Sequence, residues 1–317
     1  MPIKDFHLAA ADIHARVGFE GLIIALEEMH REAPAHVRDM LLEQPSEAVT
    51  NFSLIRAAWQ RNSAIGVKVA NIFPENQRLN LPAIHAAYVL FDGLTGVPTR
   101  SLDGTALTYL KTAADSALGA RLLARPSSTK MLMVGAGAMA PYLIKAHQTA
   151  CPALSEIRVW NRSSGRRDTL VRELEGRCSI TPADNLEDAA GWADLICCAT
   201  MTTEPLLRGE WLSEGVHIDL VGAYRPDMRE ADDETLRRAR LFVDSRDTTI
   251  GEIGELTIPI AAGVITASDV LADLYDLCSG SPGRTSGQEI TLFKNGGGGH
   301  LDLMTARYIE KCFDAAF

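Results

Sequence analysis

Apolar positions recur along this chain at two periods, and the balance between them changes near residue 125. From Phe19, apolar side chains repeat at Leu22, Ile23, Leu26 and Met29, the spacing of one helical face. Residues 19–33 are therefore expected to be a helix, within a first 60 residues that read as mixed and mostly helical. AIGVKVANIFPEN (64–76) is β-branched and alternating, a strand stopped by a proline turn. HAAYVLFDGLTGVPTRSLDG (85–104) reads as two strands joined by a glycine-rich turn with Thr95 and Gly96 at its tip. Residues 105–124 are alanine-rich and periodic, one long helix. Arg125-Pro126-Ser127-Ser128 ends it and marks a domain boundary.

Beyond that boundary, short apolar runs alternate with helical stretches. KMLMV, EIRVW, ADLICC, VHIDLV and ARLFV read as buried strands, with helices such as PYLIKAHQTA and RRDTLVRELEG between them. Strand–helix alternation implies βαβ units and a parallel sheet. The tail HLDLMTARYIEKCFDAAF is a short amphipathic helix, expected to return to the N-terminal domain. No internal repeat is visible, and the only low-complexity feature is Gly296–Gly299.

Composition narrows the class. At roughly 150 residues per domain, 317 residues make about two domains. With 46% hydrophobic and 23% charged residues, the chain reads as an ordinary globular protein. The formal charge of 31 − 41 = −10 argues against a nucleic-acid partner, because a phosphate backbone needs a basic face. A small anionic substrate needs only a few local cations. No run approaches ~18 apolar residues, so no membrane span is expected, and the first twenty residues lack a secretory pattern. Six cysteines, at 151, 178, 197, 198, 278 and 312, form no C-x-x-C pair. They read as reduced, buried thiols of a cytoplasmic protein, with neither a disulfide framework nor a metal site.

The strongest motif is Gly135-Ala136-Gly137-Ala138-Met139-Ala140, a G-x-G-x-x-A between an apolar strand and a helix. Gly135 permits the tight turn. Gly137 lets backbone N–H groups, with those of Ala138 and Met139, approach a pyrophosphate at the helix N-terminus. Ala140 keeps helix and strand close. Where an NAD site usually carries an acid at the end of the second strand, this chain has Asn161, Arg162 and Ser163. Neutral donors and a cation welcome a 2′-phosphate, so a preference for NADPH, or use of both NADPH and NADH, is expected. Further strand ends, Thr200 and Val221-Gly222-Ala223, are expected to line the same crevice. Alone, Lys68 within a strand and Lys111 within a helix read as solvated.

Taken together, GVKVANIFPEN, LFDGLTGVPTRSLDG, LTYLKTAADSALGARLLARP, MLMVGAGAMA, VWNRS, CCAT, IDLVGAYRPDMRE and LFKNGGGGHLDL resemble the ornithine cyclodeaminase/mu-crystallin family. The resemblance covers most of the chain from about residue 50. It implies an α/β fold: a Rossmann-type parallel-sheet domain, 126–295, inserted into an α+β substrate-binding and dimerisation domain built from 1–125 and 296–317. It implies a homodimer, and a nicotinamide cofactor acting at the α-carbon of an amino or imino acid. Lys68 matches the family lysine on the substrate carboxylate and is the expected catalytic residue. Lys111 stands where most members have an arginine, a change from a planar fork to a point charge. Arg56 is the candidate for the family's upstream arginine, with Arg38 its competitor. Asn295 lies near a cofactor-contacting position.

Ornithine cyclodeaminases carry an aspartate soon after V-G-G, and here Tyr224 replaces it. That change, with Lys111 and GGHLDL, resembles the Δ1-pyrroline-2-carboxylate reductase branch. The resemblance thus implies reduction of a cyclic imino acid to L-proline, or of its six-membered analogue to L-pipecolate. Ornithine cyclodeaminase, open-chain ketimine reductase, alanine dehydrogenase and a non-catalytic binding protein remain alternatives. Lys68, Tyr224 and His300 are candidate proton donors. The Gly296–Gly299 run reads either as a flexible link or as backbone passing close to the nicotinamide.

Overall fold

The computed structural model describes residues 6–45, 49–176 and 178–314. The chain divides into two units: Met1–Lys111 with Gly298–Phe317, and Thr112–Gly297. In the first unit the elements are β1 (His7–Leu8), α1 (Ala10–Arg16), α2 (Phe19–Met29), β2 (His36–Pro45), β3 (Thr50–Gln60), β4 (Ala64–Ile72), β5 (Ile84–Asp92) and β6 (Pro98–Asp103). The strands form one sheet in the order β1-β6-β5-β4-β3-β2, antiparallel from β2 to β6 with β1 parallel to β6.

The first 60 residues are less helical than their pattern suggested, since 36–45 and 50–60 are strands. Leu, Met, Ala, Gln and Glu in these segments favour helix locally. Pairing along the sheet, from β2 to β3 and from β3 to β4, decides against it. The turn between β5 and β6 is as expected. Asp92 Oδ1 accepts from the Leu94 and Thr95 amides at 3.1 and 2.7 Å, and Gly96 takes φ 71°. Helix α3 (Gly104–Leu123) follows, its first turn capped by Asp103 Oδ1 on the amides of Thr105 and Ala106. Its residues from Thr112 onward belong to the second unit.

The second unit continues with β7 (Lys130–Val134), α4 (Ala140–Ala150), β8 (Glu156–Trp160), α5 (Ser164–Leu174), β9 (Ser179–Pro182), α6 (Leu186–Trp192), β10 (Leu195–Cys198) and β11 (His217–Leu220). Then come α7 (Asp233–Arg238), β12 (Ala239–Val243), α8 (Arg246–Thr249), α9 (Gly254–Ala261), β13 (Val270–Ala272), α10 (Leu274–Cys278) and β14 (Ile290–Lys294). Its eight strands are all parallel, in the order β13-β12-β14-β11-β10-β7-β8-β9. Strands buried on both faces explain the uninterrupted apolar runs. The order reverses between β7 and β10, the switch point where such sheets bind ligands at their carboxyl edge.

The last helix, α11 (Gly299–Asp314), packs within the first unit against α2 and strands β2 to β5. No helix of the described residues is long and apolar enough to cross a membrane. None of the six cysteines is joined in a disulfide. Cys197, Cys198 and Cys278 are buried, whereas Cys151, Cys178 and Cys312 are only half-buried.

Candidate active site

In the first unit, strand register builds a row of chemistry. Asp39 on β2 faces Arg56 on β3, Arg56 faces Lys68 on β4, and Lys68 faces Tyr88 on β5. Cross-strand partners share a face. Ala64, Gly66 and Lys68 are buried, so the lysine-bearing face of β4 is the inward one. Alternation alone would turn Ile65, Val67 and Val69 inward and leave Lys68 in water. Gly66 makes the row possible: a Cβ there would stand 1.7 Å from the Tyr88 hydroxyl oxygen.

Two helices cover this row. From α3, the Thr108 hydroxyl accepts from Lys68 Nζ at 2.7 Å. From α11, Asp302 Oδ1 accepts from the same nitrogen at 3.1 Å and lies 4.0 Å from Lys111 Nζ. Lys68, Lys111 and Asp302 are 7%, 5% and 0% exposed, so the two ammoniums share one buried carboxylate. Burial pushes the Asp302 carboxyl up, but Lys68, Lys111 and Arg56 outweigh it and hold the group below its usual range. Arg56 donates from Nε and Nη2 to Asp39 Oδ2 at 2.8 and 2.5 Å. Arg38 pairs with Ala57 and therefore occupies the opposite face from Arg56 and Lys68. His300 is buried beside His30 (ring centroids 6.2 Å apart). Burial, with His30 and Lys111 adding to it, pushes its pKa well below 6.5, so the imidazole is neutral at neutral pH.

In the second unit, β7 runs into Gly135 at φ 112°, a conformation that favours glycine. A Cβ there would meet the Ala199 carbonyl oxygen at 2.7 Å, so glycine lets the ends of β7 and β10 close up. At Gly137 a Cβ would meet nothing within 4 Å. The amides of Gly137, Ala138 and Met139 take no acceptor among the described residues. Open space, unpaired N–H groups and the N-terminus of α4 suit a pyrophosphate. A cleft of about 510 Å³ beside them is lined by Gly137, Ala138, Ser163 and Arg166, among others.

Asn161 braces this turn. Its Oδ1 accepts from the Ala136 amide at 3.1 Å and its Nδ2 donates to the Ser163 carbonyl at 2.9 Å. Arg162 and Ser163 stay exposed. Thr200, Gly222 and Ala223 lie at the carboxyl edges of β10 and β11, but their amides are committed to Glu230, at 2.7, 2.6 and 3.3 Å. The Val221 amide bonds the Cys198 carbonyl. These positions can meet a cofactor through Cα atoms, carbonyls or side chains, not through those N–H groups. Burial pushes the Glu230 carboxyl up to about 7, with Lys294 pulling down and Glu255 pushing up. Asn295 Nδ2 donates to the Thr112 carbonyl and the Ser116 hydroxyl. Gly296 and Gly297 are pinned by their amides to Asp244 Oδ2, at 2.9 and 2.5 Å, so this part of the run is not a loose link. Tyr224 is 53% exposed.

Several side chains emerge only here, Asp302, Glu230 and Arg166 among them. Their signals in sequence are weak. Each is one polar residue in a segment rich in them, and only the apolar setting of HLDLM hints that Asp302 is buried.

Residues 26–315 match the ornithine cyclodeaminase/mu-crystallin family. A Δ1-pyrroline-2-carboxylate reductase of Paracoccus denitrificans is 42% identical over 306 residues, 96% of each chain. The solved structure of Thermococcus litoralis Δ1-pyrroline-2-carboxylate reductase with NADH and L-proline aligns with a TM-score of 0.89 at 28% identity, covering 98% of both chains. An archaeal alanine dehydrogenase dimer with bound NAD gives 0.88 at 25% identity, over 98% of this chain and 96% of that one.

Proposed function

The chain belongs to the ornithine cyclodeaminase/mu-crystallin family, and on that premise we propose that it reduces a cyclic imino acid, Δ1-pyrroline-2-carboxylate, to L-proline with a nicotinamide cofactor. The observation that carries the substrate class is the buried Lys68 ammonium, held by Thr108 and Asp302. An ammonium has three N–H donors, and Lys68 uses two, on Thr108 and Asp302. The third is the donor for the substrate carboxylate.

A bound reduced nicotinamide supplies the hydride. The hydride goes to the imine carbon, the C=N electron pair moves onto nitrogen, and one proton ends there. Such transfer needs the two carbons held within ~3–3.5 Å. The protein's part is orientation and charge. A substrate arriving as the iminium brings its own proton. His300, which is neutral, and Tyr224, which is largely in solvent, are poorly placed to protonate a neutral imine, so the reading takes the substrate as the iminium. NADPH preference is supported by the absence of an acid at the end of β8 and by the exposed Arg162 and Ser163. We also propose a homodimer, supported by the exposed apolar side chains of the edge strand β2.

The direct test is NADPH oxidation with Δ1-pyrroline-2-carboxylate, beside the six-membered analogue. One methylene is worth only ~1–3 kcal/mol, so both rings belong in the assay. Wild-type enzyme consumes NADPH with at least one of them. Lys68→Ala lowers kcat/KM by ~100-fold or more, the loss of a charged hydrogen bond. Absence of turnover with either ring sinks the reading, and near-normal turnover in Lys68→Ala removes Lys68 from it.

A further inference from the structure

The parallel sheet is built of two halves that meet at the switch point, β7-β8-β9 on one side and β10-β11-β14 on the other. Each half of such a sheet takes one nucleotide, and the ribose met at the end of β8 is that of the adenosine. The carboxyl ends of β10 and β11 are therefore the nicotinamide side of the crevice. Both ends are held from inside by one fully buried side chain, Glu230. Its Oε1 accepts from the Thr200 amide at 2.7 Å and the Thr200 hydroxyl at 2.8 Å, after β10. Its Oε2 accepts from the amides of Gly222 at 2.6 Å and Ala223 at 3.3 Å, after β11. Each oxygen serves a different turn, so the carboxylate bridges them. The turns also abut: a Cβ at Gly222 would stand 2.0 Å from the Thr200 carbonyl oxygen, and a Cβ at Gly135 would stand 3.3 Å from Thr200 Cγ2.

Glu230 is itself fixed. Glu255 on α9, also buried, accepts from the amides of Glu230 and Ala231 at 2.7 and 3.0 Å. Lys294, at the end of β14, donates to the carbonyls of Leu220 and Asn295 at 2.9 and 2.8 Å, and its charge favours the ionised Glu230. Amides at a sheet edge can bond to water. Drawing three of them onto a buried carboxylate costs desolvation, and what it secures is the relative position of the two turns.

We infer that Glu230 is a positioning residue for the nicotinamide half of the cofactor, locking the turns after β10 and β11 into one surface before the cofactor binds. This rests on the proposed reading that the crevice takes a nicotinamide dinucleotide. None of the four groups that donate to Glu230 lies in the pyrophosphate turn, residues 135–139. Loss of the carboxylate therefore weakens the hold on one half of the cofactor and spares the other. Glu230→Gln keeps the size of the side chain but turns one oxygen into an NH2 that faces an N–H group of Thr200 or of Gly222, so one of the two turns is released.

The experiment compares wild type with Glu230→Gln, both folded by circular dichroism, at mildly alkaline pH, above the value of about 7 to which burial pushes Glu230. Calorimetry measures Kd for NADPH or NADH, whichever wild type binds more tightly, and for its adenosine half, 2′-phospho-ADP or ADP. Glu230→Gln raises the Kd of the dinucleotide by about tenfold or more, the worth of a charged hydrogen bond, and leaves that of the adenosine half within about twofold. A merely structural role lowers thermal stability and moves both constants by the same factor, or neither, and that result overturns the inference. Should Glu230→Gln not fold, amide hydrogen exchange on wild type decides. The Thr200 and Gly222 amides are then protected already without cofactor. Fast exchange there, with protection gained only when the dinucleotide binds, shows that the cofactor orders the turns and overturns the inference. If wild type binds neither dinucleotide, the cofactor reading itself fails and takes the role of Glu230 with it. If wild type binds and the variant weakens both ligands alike, only the role of Glu230 falls.

Discussion

At the scale of single residues, the proposed cofactor choice turns on the end of β8. Asn161 is occupied in bracing the glycine turn, which leaves Arg162 and Ser163 as the exposed side chains there. A guanidinium suits a 2′-phosphate, whereas a carboxylate suits a ribose 2′-hydroxyl and repels the phosphate. Arg162→Asp is expected to move the NADPH/NADH ratio of kcat/KM toward NADH by about tenfold or more, ~1.4 kcal/mol in the transition state. Steady-state kinetics with both cofactors measure it. An unchanged ratio shows that Arg162 takes no part in the choice.

At the scale of elements, the parallel sheet carries a polar seam inside its core. Asp219 on β11 accepts from Ser116 of α3 at 3.0 Å, from Cys197 of β10 at 3.2 Å, and lies 3.0 Å from His147 Nε2 of α4. His217, two residues earlier on β11, is fully buried against Thr291. Burial is the main cause that lowers its pKa from 6.5 to about 3, with His147 and Arg284 also lowering and Asp219 opposing. The folded state thus keeps His217 neutral while the unfolded chain takes a proton below pH 6.5, and stability falls with acid until about pH 3. Glu230 acts in the other sense. Its folded pKa of about 7 lies above 4.5, so folding binds a proton between those values and gains from acid. The two slopes, each about 1.4 kcal/mol per pH unit, cancel from pH 6.5 to 4.5, and below that the His217 slope is no longer offset by Glu230 and adds to that of carboxylates held below their usual range, such as Asp302. Urea midpoints are expected to drop between pH 4.5 and 3, and His217→Gln to lessen that drop. Equal drops in both proteins would exclude His217 as a contributor.

At the scale of the whole molecule, the edge strand β2 leaves Met40, Leu41 and Leu42 exposed in succession. Consecutive strand residues point to opposite faces, so both faces of this edge are uncovered in a single chain. Exposed apolar edge strands invite pairing with another chain. Light scattering is expected to give twice the 34.4 kDa of one chain, and Leu41→Asp to shift the mass toward one chain. A wild-type mass of 34.4 kDa at micromolar concentration contradicts the dimer.

The local sequence alone determined the features that depend on near neighbours. The G-x-G-x-x-A turn, the Asp92 hairpin, the long helix after Asp103 and the parallel strands are all legible because a few adjacent residues impose them. Family likeness pointed to Lys68 and Lys111. Tertiary structure alone decided which face of β4 turns inward, that 36–45 and 50–60 form strands, that Asp302 meets Lys68 and Lys111, and that Glu230 takes the amides of Thr200, Gly222 and Ala223. Those outcomes rest on register and burial between segments up to 234 residues apart, as from Lys68 to Asp302. No window of sequence contains both partners of such a contact, so the energy that fixes it is invisible until the chain has folded.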